Sequence, residues 1–432
     1  MITKQLIDQI EGEASVYFDM KNEKVNFSTI AFPHFRGIEN ILKGKNALDA
    51  LVITPRVCGI CGHAHLMSSV RAIEDAYKNA GYEVHLSKKA KKIREFTLVM
   101  EIIQNHLKWV YMVLIPELSK LRNSNEENYT LKGAYGARLA TKAISLLGGQ
   151  WPHSSYMVPG GVTSDPTYIE ILQAQSILKD LIQFFEKESL GVNLDEFLTY
   201  KTPKEISVGE ADVSKIEEHL IELGMQEKGL AYDRFIMLGD HLFINPIKMK
   251  QTRPFSVDIK HVSTVESYSP NEKTYARNAM YKDDYYEVGS LSRMMSLQIP
   301  LIKNIHRRYK DSAYSRVIAR IYELAHLMKH ANELLSTISI SENSCNKPIS
   351  IEKVTASGIG IVEAPRGPLI HKVDIENGII NKYEIITPTQ WNIGSSTKDK
   401  LTPVQKTMFG HTKAEALFIF RTFDVCSVCT TH

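Results

Sequence analysis

Cysteine is scarce in this chain, with five in 432 residues. A chain of this length buries enough apolar surface to fold without a disulfide framework, so we do not expect its cysteines to be paired for stability. Long apolar runs are also lacking. The run Val110–Leu118 contains Pro116 and falls short of the roughly 18 apolar residues that a spanning helix needs. The sequence therefore predicts no segment that crosses a membrane directly.

Nucleotide-binding motifs, internal repeats and low-complexity segments are missing as well. There is neither a Gly-x-Gly-x-x-Gly fingerprint nor a Walker-type Gly-Lys-Ser/Thr loop. The net charge of +3 indicates no role in binding nucleic acid or a membrane surface. Met1–Asp19 does not have the pattern of a secretory signal peptide, and the few cysteines fit a reducing compartment. We therefore expect a cytoplasmic protein.

Helical periodicity dominates the residues that are present, and it favours a predominantly α member of the α+β class. We expect a core of long bundled helices with β-rich flanking regions, in a single intertwined domain over 1–432. The parts would be a β-rich segment at about 1–50, a helical core at about 65–200 and 289–335, a β-rich segment at about 353–386, and a final helix with a terminal motif at 402–432. Strands are predicted at Glu13–Tyr17 and Lys24–Ala31, and helices at Leu66–Ala80, Lys88–Arg122 (broken by Pro116), Leu131–Leu147, Tyr168–Ser189, Val213–Leu223, Gly289–Leu335 (interrupted near Pro300) and Thr402–Phe420.

Four of the five cysteines form two Cys-x-x-Cys pairs near opposite ends of the sequence. Cys58 and Cys61 make the first pair, Cys426 and Cys429 the second, and a histidine follows each pair closely. This spacing lets two thiolates reach one metal, so two pairs can build a four-thiolate site. Terminal residues normally fray, so the second pair predicts a buried C-terminal segment.

The most common interpretation of two such pairs is a structural zinc site, here in a scaffold or assembly protein. Zinc modules usually place their pairs about 15–20 residues apart, whereas almost the whole chain separates these two. Soft thiolates also suit nickel and iron. The residues alone leave these alternatives open.

Both cysteine motifs resemble the two signatures of nickel–iron hydrogenase large subunits. The first runs from Arg56 to His65 as Arg-x-Cys-Gly-x-Cys-x-x-x-His, and the second is the terminal Cys-x-x-Cys-x-x-His that ends at His432. Further segments resemble landmarks of that family along the whole chain: Gln9–Gly12, Phe35–Glu39, Val158–Val162, Tyr286–Gly289, Glu363–Gly367, Thr387–Asn392 and Arg421–Asp424. The resemblance implies the large-subunit fold and reversible cleavage of dihydrogen into two protons and two electrons.

The resemblance also implies a ligand set. Cys58 and Cys426 would bind nickel terminally, while Cys61 and Cys429 would bridge nickel to an iron that carries carbon monoxide and cyanide. His65 would donate a hydrogen bond to a bridging thiolate, which stabilises negative charge on sulfur and tunes the metal. His63 and Cys345 receive no role from the resemblance.

Several other side chains match family positions around such a centre. Glu11 would take a proton from Cys426, and Arg366 would lie over the open side of the metal pair. Asp424 would hold Arg366 through an ion pair. Pro365 and Thr389 would contact the iron-bound ligands, with the Thr389 hydroxyl donating to a cyanide. The chain departs from the family pattern at Gln9, Glu13 and Val425, and we leave Asn105, where many relatives carry Asp, without an assigned role.

The resemblance further implies a magnesium ion held by Glu39, the carbonyl of Ile385 and His432. Magnesium held by few protein groups keeps several waters, which could relay protons. Large subunits of this family are trimmed just after the corresponding histidine once metal is loaded. A chain that ends at His432 is therefore expected to be the matured form, processed by a maturation endopeptidase and loaded by metal-insertion proteins.

The cysteine count implies that electron transfer requires a partner. Once four cysteines bind the metals, Cys345 alone remains, and one thiol cannot hold a conventional iron–sulfur cluster. The family solution is an iron–sulfur small subunit. The alternative within the fold is a related respiratory quinone-reductase subunit that lacks these metals, against which the four cysteines argue. We expect a cytoplasmic location, free or at a membrane through partners, with export on a partner's signal left open.

Overall fold

The computed structural model describes residues 2–8, 10–124, 129–238 and 257–432. It begins with an antiparallel sheet in the order β1-β2-β3, formed by β1 (Ile2–Ile7), β2 (Ala14–Lys21) and β3 (Lys24–Ala31). The predicted strands correspond to β2 and β3. The sequence did not predict β1, which is an edge strand whose side chains are largely exposed and which therefore has no strong apolar alternation.

Helices are the main regular structure of the remaining chain, as predicted, and the α+β class is confirmed. The bundle is built mainly from long helices whose inward faces are buried in one large apolar cluster. The helices are α1 (Ile38–Leu42), α2 (Ala50–Ile53), α3 (Gly62–Asn79), α4 (Lys88–Lys108), α5 (Ile115–Arg122), α6 (Thr130–Gly148), α7 (Tyr168–Phe184), α8 (Leu194–Leu198), α9 (Pro203–Ile206), α10 (Asp212–Glu222), α11 (Ser290–Ser296), α12 (Pro300–Tyr309), α13 (Ala313–Ser336), α14 (Pro388–Asn392), α15 (Pro403–Met408) and α16 (Lys413–Arg421).

The helical segment around Pro116 differs from the prediction in where it is interrupted. The regular helix α4 ends at Lys108, and a π-helical turn over Trp109–Leu114 leads into α5. Pro116 lies in the first turn of α5, where the missing N–H group is tolerated. The break therefore precedes the proline rather than coinciding with it.

Helix α3 packs directly against a second antiparallel sheet, which has the order β10-β9-β8. Its strands are β8 (Ala356–Ala364), β9 (Gly367–Glu376) and β10 (Ile379–Ile386), which confirms the predicted β segment. Two glycines of β8 make this close contact feasible. A Cβ atom on Gly358 would lie 2.1 Å from the carbonyl oxygen of Ala72, and one on Gly360 would lie 1.9 Å from that of Ser68.

The last predicted helix is two helices, α15 and α16. Gly410 has a φ of 81° between them, a left-handed conformation that favours glycine. Thr412 and Glu415 then form a capping box that starts α16. The break turns α16 toward the second cysteine motif.

Two short hairpins complete the described elements. They pair β4 (Met157–Val158) with β5 (Gly161–Val162), and β6 (Val262–Glu266) with β7 (Arg277–Tyr281). Part of the strand-like stretch predicted at 206–274 lies at 239–256, outside the described residues. Within the described ranges, no helix combines the length and apolar character needed to cross a membrane.

Candidate metal centre

The two Cys-x-x-Cys pairs meet in the interior of the molecule. The sulfur of Cys58 lies 3.7 Å from that of Cys426, and the sulfur of Cys61 lies 3.4 Å from that of Cys429. Within the second pair, the two sulfurs are 3.2 Å apart. All four side chains are buried. The sequence prediction that both pairs converge, and that the C-terminal segment is buried, agrees with this geometry.

These sulfur separations suit a shared metal. Two thiolates bound at about 2.3 Å to one tetrahedral ion lie roughly 3.8 Å apart, close to the distances between the pairs. Burial raises the pKa of the Cys58 thiol to about 11, so a bound cation would be needed to hold the Cys58 sulfur as a thiolate. The donor set fits soft transition metals, with Cys58, Cys61, Cys426 and Cys429 as the groups that would hold them.

Glu11 ties the two motifs together. Its carboxylate accepts hydrogen bonds from the Cys58 thiol at 3.0 Å and from the amides of Gly59 and Ile60 at 2.5 and 3.2 Å. Its backbone carbonyl accepts from the amides of Ser427 and Val428 in the second motif. Its carboxylate oxygen also lies within 4.8 Å of the Cys426 sulfur. The closest thiol to Glu11 is thus Cys58, whereas the sequence expectation paired it with Cys426.

The close approach of Glu11 explains why the first motif has a glycine at position 59. A Cβ atom on Gly59 would lie 2.7 Å from the Glu11 carboxylate oxygen, too close for any larger residue without displacing Glu11.

Arg36 is a second residue that connects the two motifs. Its guanidinium donates to the carbonyls of Arg56 and Val57 in the first, and to the carbonyl of Val428 in the second at 3.0 Å.

Glu101 positions the helix that follows the first cysteine pair. Its fully buried carboxylate accepts the amides of His63 and Ala64, at 2.8 and 3.0 Å, at the start of α3. A carboxylate there satisfies two unpaired N–H groups and complements the positive end of the helix dipole. The imidazole of His63 is buried and lies 3.5 Å from the same carboxylate. The His63 ring thus packs beside this carboxylate, and neither of its nitrogens makes a hydrogen bond within the described residues.

Arg366 forms a closed polar triangle with Asn105 and Asp424. Its guanidinium donates to the Asn105 side chain at 2.9 Å, makes an ion pair with Asp424 at 3.2 Å, and donates to the Asp424 backbone carbonyl at 2.9 Å. The Asn105 amide donates to the other Asp424 oxygen at 2.8 Å. The expected contact between Arg366 and Asp424 is therefore present. Asn105, which the sequence left without a role, contacts both residues and completes the triangle.

Electrostatics fix the charges of this triangle. Burial works against a charged guanidinium, but Asp424 and the neighbouring sulfurs raise the pKa of Arg366 well above its ordinary value. Burial likewise disfavours a charged Asp424, but Arg366 and Arg320 hold its pKa below the ordinary value. The pair therefore stays ionised in a region sheltered from water.

A buried arginine holds the turn that carries Arg366. Arg293 donates to the carbonyls of Ala364 and Pro365, each at 3.0 Å, and pairs with the carboxylates of Glu323 and Glu363. Pro365 is buried at this turn, with its carbonyl occupied by Arg293. The position of the Arg366 guanidinium thus depends on a charge network on α11 and α13.

His65 lies between the second cysteine pair and the β8–β10 sheet. Its Nε2 atom is 3.9 Å from the Cys429 sulfur, and its Nδ1 atom is 3.0 Å from Nε2 of His371. Burial lowers the pKa of His65 to about 3 and that of His371 well below its ordinary value. Both rings are therefore neutral. The resemblance implied that His65 lies beside one of the bridging cysteines, and its contact with Cys429 agrees with that expectation.

Two of the groups expected to hold magnesium, the Glu39 carboxylate and the His432 imidazole, are adjacent, and the backbone amide of Ile385 contacts Glu39. The Glu39 carboxylate accepts the amide of Ile385 at 2.7 Å, and the same oxygen lies 3.5 Å from Nε2 of His432. Burial favours the neutral acid, but His432 and the Ile385 amide lower the pKa of Glu39 below its ordinary value. The Glu39 carboxylate thus contacts both the His432 imidazole and the Ile385 amide.

Thr389 is buried near the start of α14, and its hydroxyl oxygen has no hydrogen-bond partner within the described ranges. A buried hydroxyl without a partner is unfavourable by about 1–3 kcal/mol. The orphaned hydroxyl fits the expected contact with a ligand of the iron.

Sequence reasoning did not single out Glu101, Arg293 or His371, and it quoted Arg36 without a role. Each acts through a contact with a residue distant in sequence, for which a single sequence carries no signal. The one available hint was that Arg36 sits inside a family landmark. The motif residues themselves were predictable because their spacing is local.

Comparisons with known proteins agree with this site. The model of the nickel-dependent hydrogenase family matches residues 36–115 and 129–432. The alpha subunit of sulfhydrogenase 1 from Pyrococcus furiosus is 24% identical over 451 residues, covering 100% of this chain and 97% of the relative. The large subunit of the periplasmic NiFeSe hydrogenase from Desulfomicrobium baculatum is 22% identical over 469 residues, covering 94% and 88%. The Ni-Fe-Se hydrogenase structure from D. vulgaris Hildenborough aligns with a TM-score of 0.81 at 20% identity over 100% of both chains.

The family model spans most of the sequence, and both cysteine motifs lie inside the matched ranges. The fold of the solved relatives extends over the entire chain. The chain therefore belongs to the nickel-dependent hydrogenase family, as a catalytic large subunit of the nickel–iron type.

Proposed function

We propose that this hydrogenase subunit cleaves dihydrogen reversibly at a nickel–iron centre held by Cys58, Cys61, Cys426 and Cys429. The observation that carries the proposal is the convergence of four buried thiols beside Glu11 and Arg366. When bound, the nickel–iron centre supplies the site at which the bond between the two hydrogens is broken and electrons are taken up. The protein groups around it position substrate, exclude water and move the proton.

Arg366 supplies a fixed positive charge next to the sulfurs. A preorganised charge in a water-excluded site stabilises charge that develops during bond cleavage without having to reorient. Asn105 and Asp424 hold the guanidinium from two directions, so its orientation does not depend on solvent. We propose that Arg366 polarises dihydrogen.

Glu11 is the proposed proton acceptor. Its carboxylate reaches the Cys58 sulfur at 3.0 Å, a distance at which a proton can pass between them. Cys426 is the alternative donor within 4.8 Å. We propose that the proton leaves the centre through Glu11, with Cys58 as the immediate source favoured by distance.

The remaining assignments are also proposals. Pro365 and Thr389 would contact carbon monoxide and cyanide on the iron, a role supported by the unpaired hydroxyl of Thr389. Magnesium would bind at Glu39, the Ile385 carbonyl and His432, a role supported by the closeness of the Glu39 carboxylate to the His432 imidazole. Carboxylate and carbonyl oxygens, completed by water, are the ligands that suit magnesium.

An iron–sulfur small subunit is the proposed electron-accepting partner. The hydrogenase relatives are named as alpha or large subunits, which supports a multi-subunit enzyme. Exposed apolar side chains precede the first cysteine motif, including Phe35, Ile41 and Val52, and we propose that they contribute to the contact with the small subunit.

We also propose a cytoplasmic location for the protein, with export on a partner's signal as the alternative. We further propose that the chain makes transient contact with a maturation endopeptidase and with metal-insertion proteins.

Glu11→Gln provides the test of the reaction. We expect the purified, metal-loaded wild type to contain nickel and iron in about equal amounts and to exchange dihydrogen isotopes with solvent. Glutamine is nearly isosteric but carries no exchangeable carboxyl proton, so the variant should retain both metals and lose most of the exchange. Exchange near the wild-type rate would remove Glu11 from the proton route. Zinc as the only metal in the wild type would overturn the proposed centre.

A further inference from the structure

Four side chains form a hydrogen-bonded chain that leads away from Cys429. His65 Nε2 lies 3.9 Å from the Cys429 sulfur, and His65 Nδ1 lies 3.0 Å from Nε2 of His371. Nδ1 of His371 lies 2.8 Å from the Tyr383 hydroxyl, which donates a hydrogen bond to the Ser69 hydroxyl at 2.9 Å. All four side chains are buried. The chain joins α3 to strands β9 and β10.

The geometry couples all the bonds in this chain. A bond between two ring nitrogens requires one of them to be bare, and buried imidazoles without a carboxylate partner are neutral. Each ring then carries one N–H group, so every bond runs in the same direction. If Tyr383 donates to His371, then His371 donates to His65, and His65 donates to the sulfur. If Tyr383 donates to Ser69 instead, which is the direction of that bond in the structure, His65 presents a bare nitrogen to Cys429. A metal-bound thiolate has no hydrogen to donate to that nitrogen, so Cys429 as a metal ligand would favour the first direction.

We infer that His371 and Tyr383 are positioning residues that set the tautomer of His65 and strengthen the hydrogen bond that it donates to Cys429. A ring that accepts a hydrogen bond at one nitrogen becomes a stronger donor at the other, because bonds in a chain polarise one another. This inference rests on the proposed role of Cys429 as a metal ligand. It means that His371 and Tyr383 influence the hydrogen bond to the Cys429 sulfur although neither residue contacts that sulfur.

The expected consequence is a shift in the potential of the metal centre. A hydrogen bond donated to a thiolate withdraws electron density and favours the reduced metal. Weakening that bond should therefore lower the midpoint potential of nickel. A loss of packing alone would not be expected to lower the midpoint potential of nickel consistently in these variants.

The test compares Tyr383→Phe, His371→Phe and the double variant in the assembled, metal-loaded enzyme. Nickel content is measured first, and the midpoint potential is then obtained by redox titration of the nickel resonance. We expect full nickel content in each variant, a lower potential in Tyr383→Phe, and a larger decrease in His371→Phe. Because the two residues act in series, the double variant should match His371→Phe alone. Additive shifts, or an unchanged potential in Tyr383→Phe, would overturn the inference.

Ser69→Ala is the matched control. It removes the competing acceptor for the Tyr383 hydrogen, so that hydrogen is left to His371. The potential of this variant should not fall below that of the wild type, and a decrease would contradict the proposed direction of the bonds. Retention of nickel by Cys429→Ser would instead refute the ligand assignment itself, which separates failure of this inference from failure of the proposed function.

Discussion

Asp424 shows how much of the site depends on single residues. Its backbone has a φ of 59°, a left-handed conformation that Asp adopts more readily than most residues but still at a cost. In this conformation it presents both its carbonyl and its carboxylate to Arg366. Local strain is thus placed two residues before Cys426, where it orients the cation beside the sulfurs.

The triangle of Arg366, Asn105 and Asp424 makes Arg366→Lys informative. Lysine keeps the charge but lacks the planar fork that contacts both partners. We expect the variant to assemble with normal nickel content and to lose turnover by about 10²-fold or more, as for removal of one preorganised electrostatic group. Hydrogen oxidation per bound nickel is the measurement. Wild-type turnover in a nickel-replete variant would exclude a catalytic role for the guanidinium.

The cysteines give a second prediction at the residue scale. Cys61→Ser and Cys429→Ser should each lose the bimetallic site and all activity, because each cysteine is assigned two metal bonds. Metal analysis of the purified variants is the measurement. Cys345→Ser is the control, since Cys345 is half-buried and lies outside the thiol cluster, and it should keep wild-type metal content. Full nickel in either bridging variant would refute the ligand assignment.

Element boundaries were less predictable than element types. The sequence predicted most of the long helices because apolar periodicity over many residues is a strong signal. It did not predict the π-helical turn at Trp109–Leu114. It also missed the division of the last helix, although Gly410 and the Thr412–Glu415 capping box are local stop and start signals. A tertiary contact that the sequence did not indicate is the ion pair at 2.6 Å between Lys228 and Glu415, in the first turn of α16.

The start of α16 predicts a pH-dependent stability. Burial opposes ionisation of Glu415, but Lys228 and Thr412 lower its pKa to about 2, against an ordinary value of about 4.3. A depressed pKa stabilises the fold above the ordinary value, and this contribution is lost as the pH falls toward 2. Glu415→Gln should reduce the free energy of unfolding at pH 7 by about 1 kcal/mol, allowing for partial exposure.

Denaturant unfolding of wild type and Glu415→Gln between pH 7 and pH 3 measures that difference. The two curves should approach each other as the pH falls below about 4, because the carboxyl of the unfolded chain then takes up a proton while that of the folded protein stays ionised down to a pH of about 2. Glu352→Gln is a suitable control because Glu352 is exposed, and its effect should stay within about 0.5 kcal/mol. A difference that is constant over this pH range would contradict the charge argument.

At the scale of the whole molecule, the main apolar cluster includes residues from Ile38 to Cys429. A second cluster lies under the N-terminal sheet, and a single catalytic domain over 1–432 stays a prediction. The sequence predicted the convergence of both cysteine pairs because their spacing is characteristic of metal sites. It could not reveal which distant residues support them: Glu101 and His371 reach the site only through the packing of α4 and β9 against α3.

The complete enzyme is predicted to need a second subunit for electron transfer. The metal-loaded chain alone should exchange dihydrogen isotopes with solvent, because that reaction needs no electron acceptor. It should fail to reduce a protein-sized acceptor until an iron–sulfur subunit is added, and the contact should bury roughly 2,000 Å² or more. Rapid reduction of the acceptor by the isolated chain, in a sample without an iron–sulfur signal, would contradict this prediction.

The pairing of Cys58 with Cys426 joins residues 368 positions apart, and this separation has a consequence for the timing of synthesis. At about 5–20 residues per second, a ribosome takes roughly 20–70 s to add the chain between them. Closing so long a loop is also entropically unfavourable. Throughout that interval Cys58 and Cys61 are present without their partners. A newly made chain must therefore keep these two thiols reduced, and free of competing metals, before the pocket that will shelter them exists.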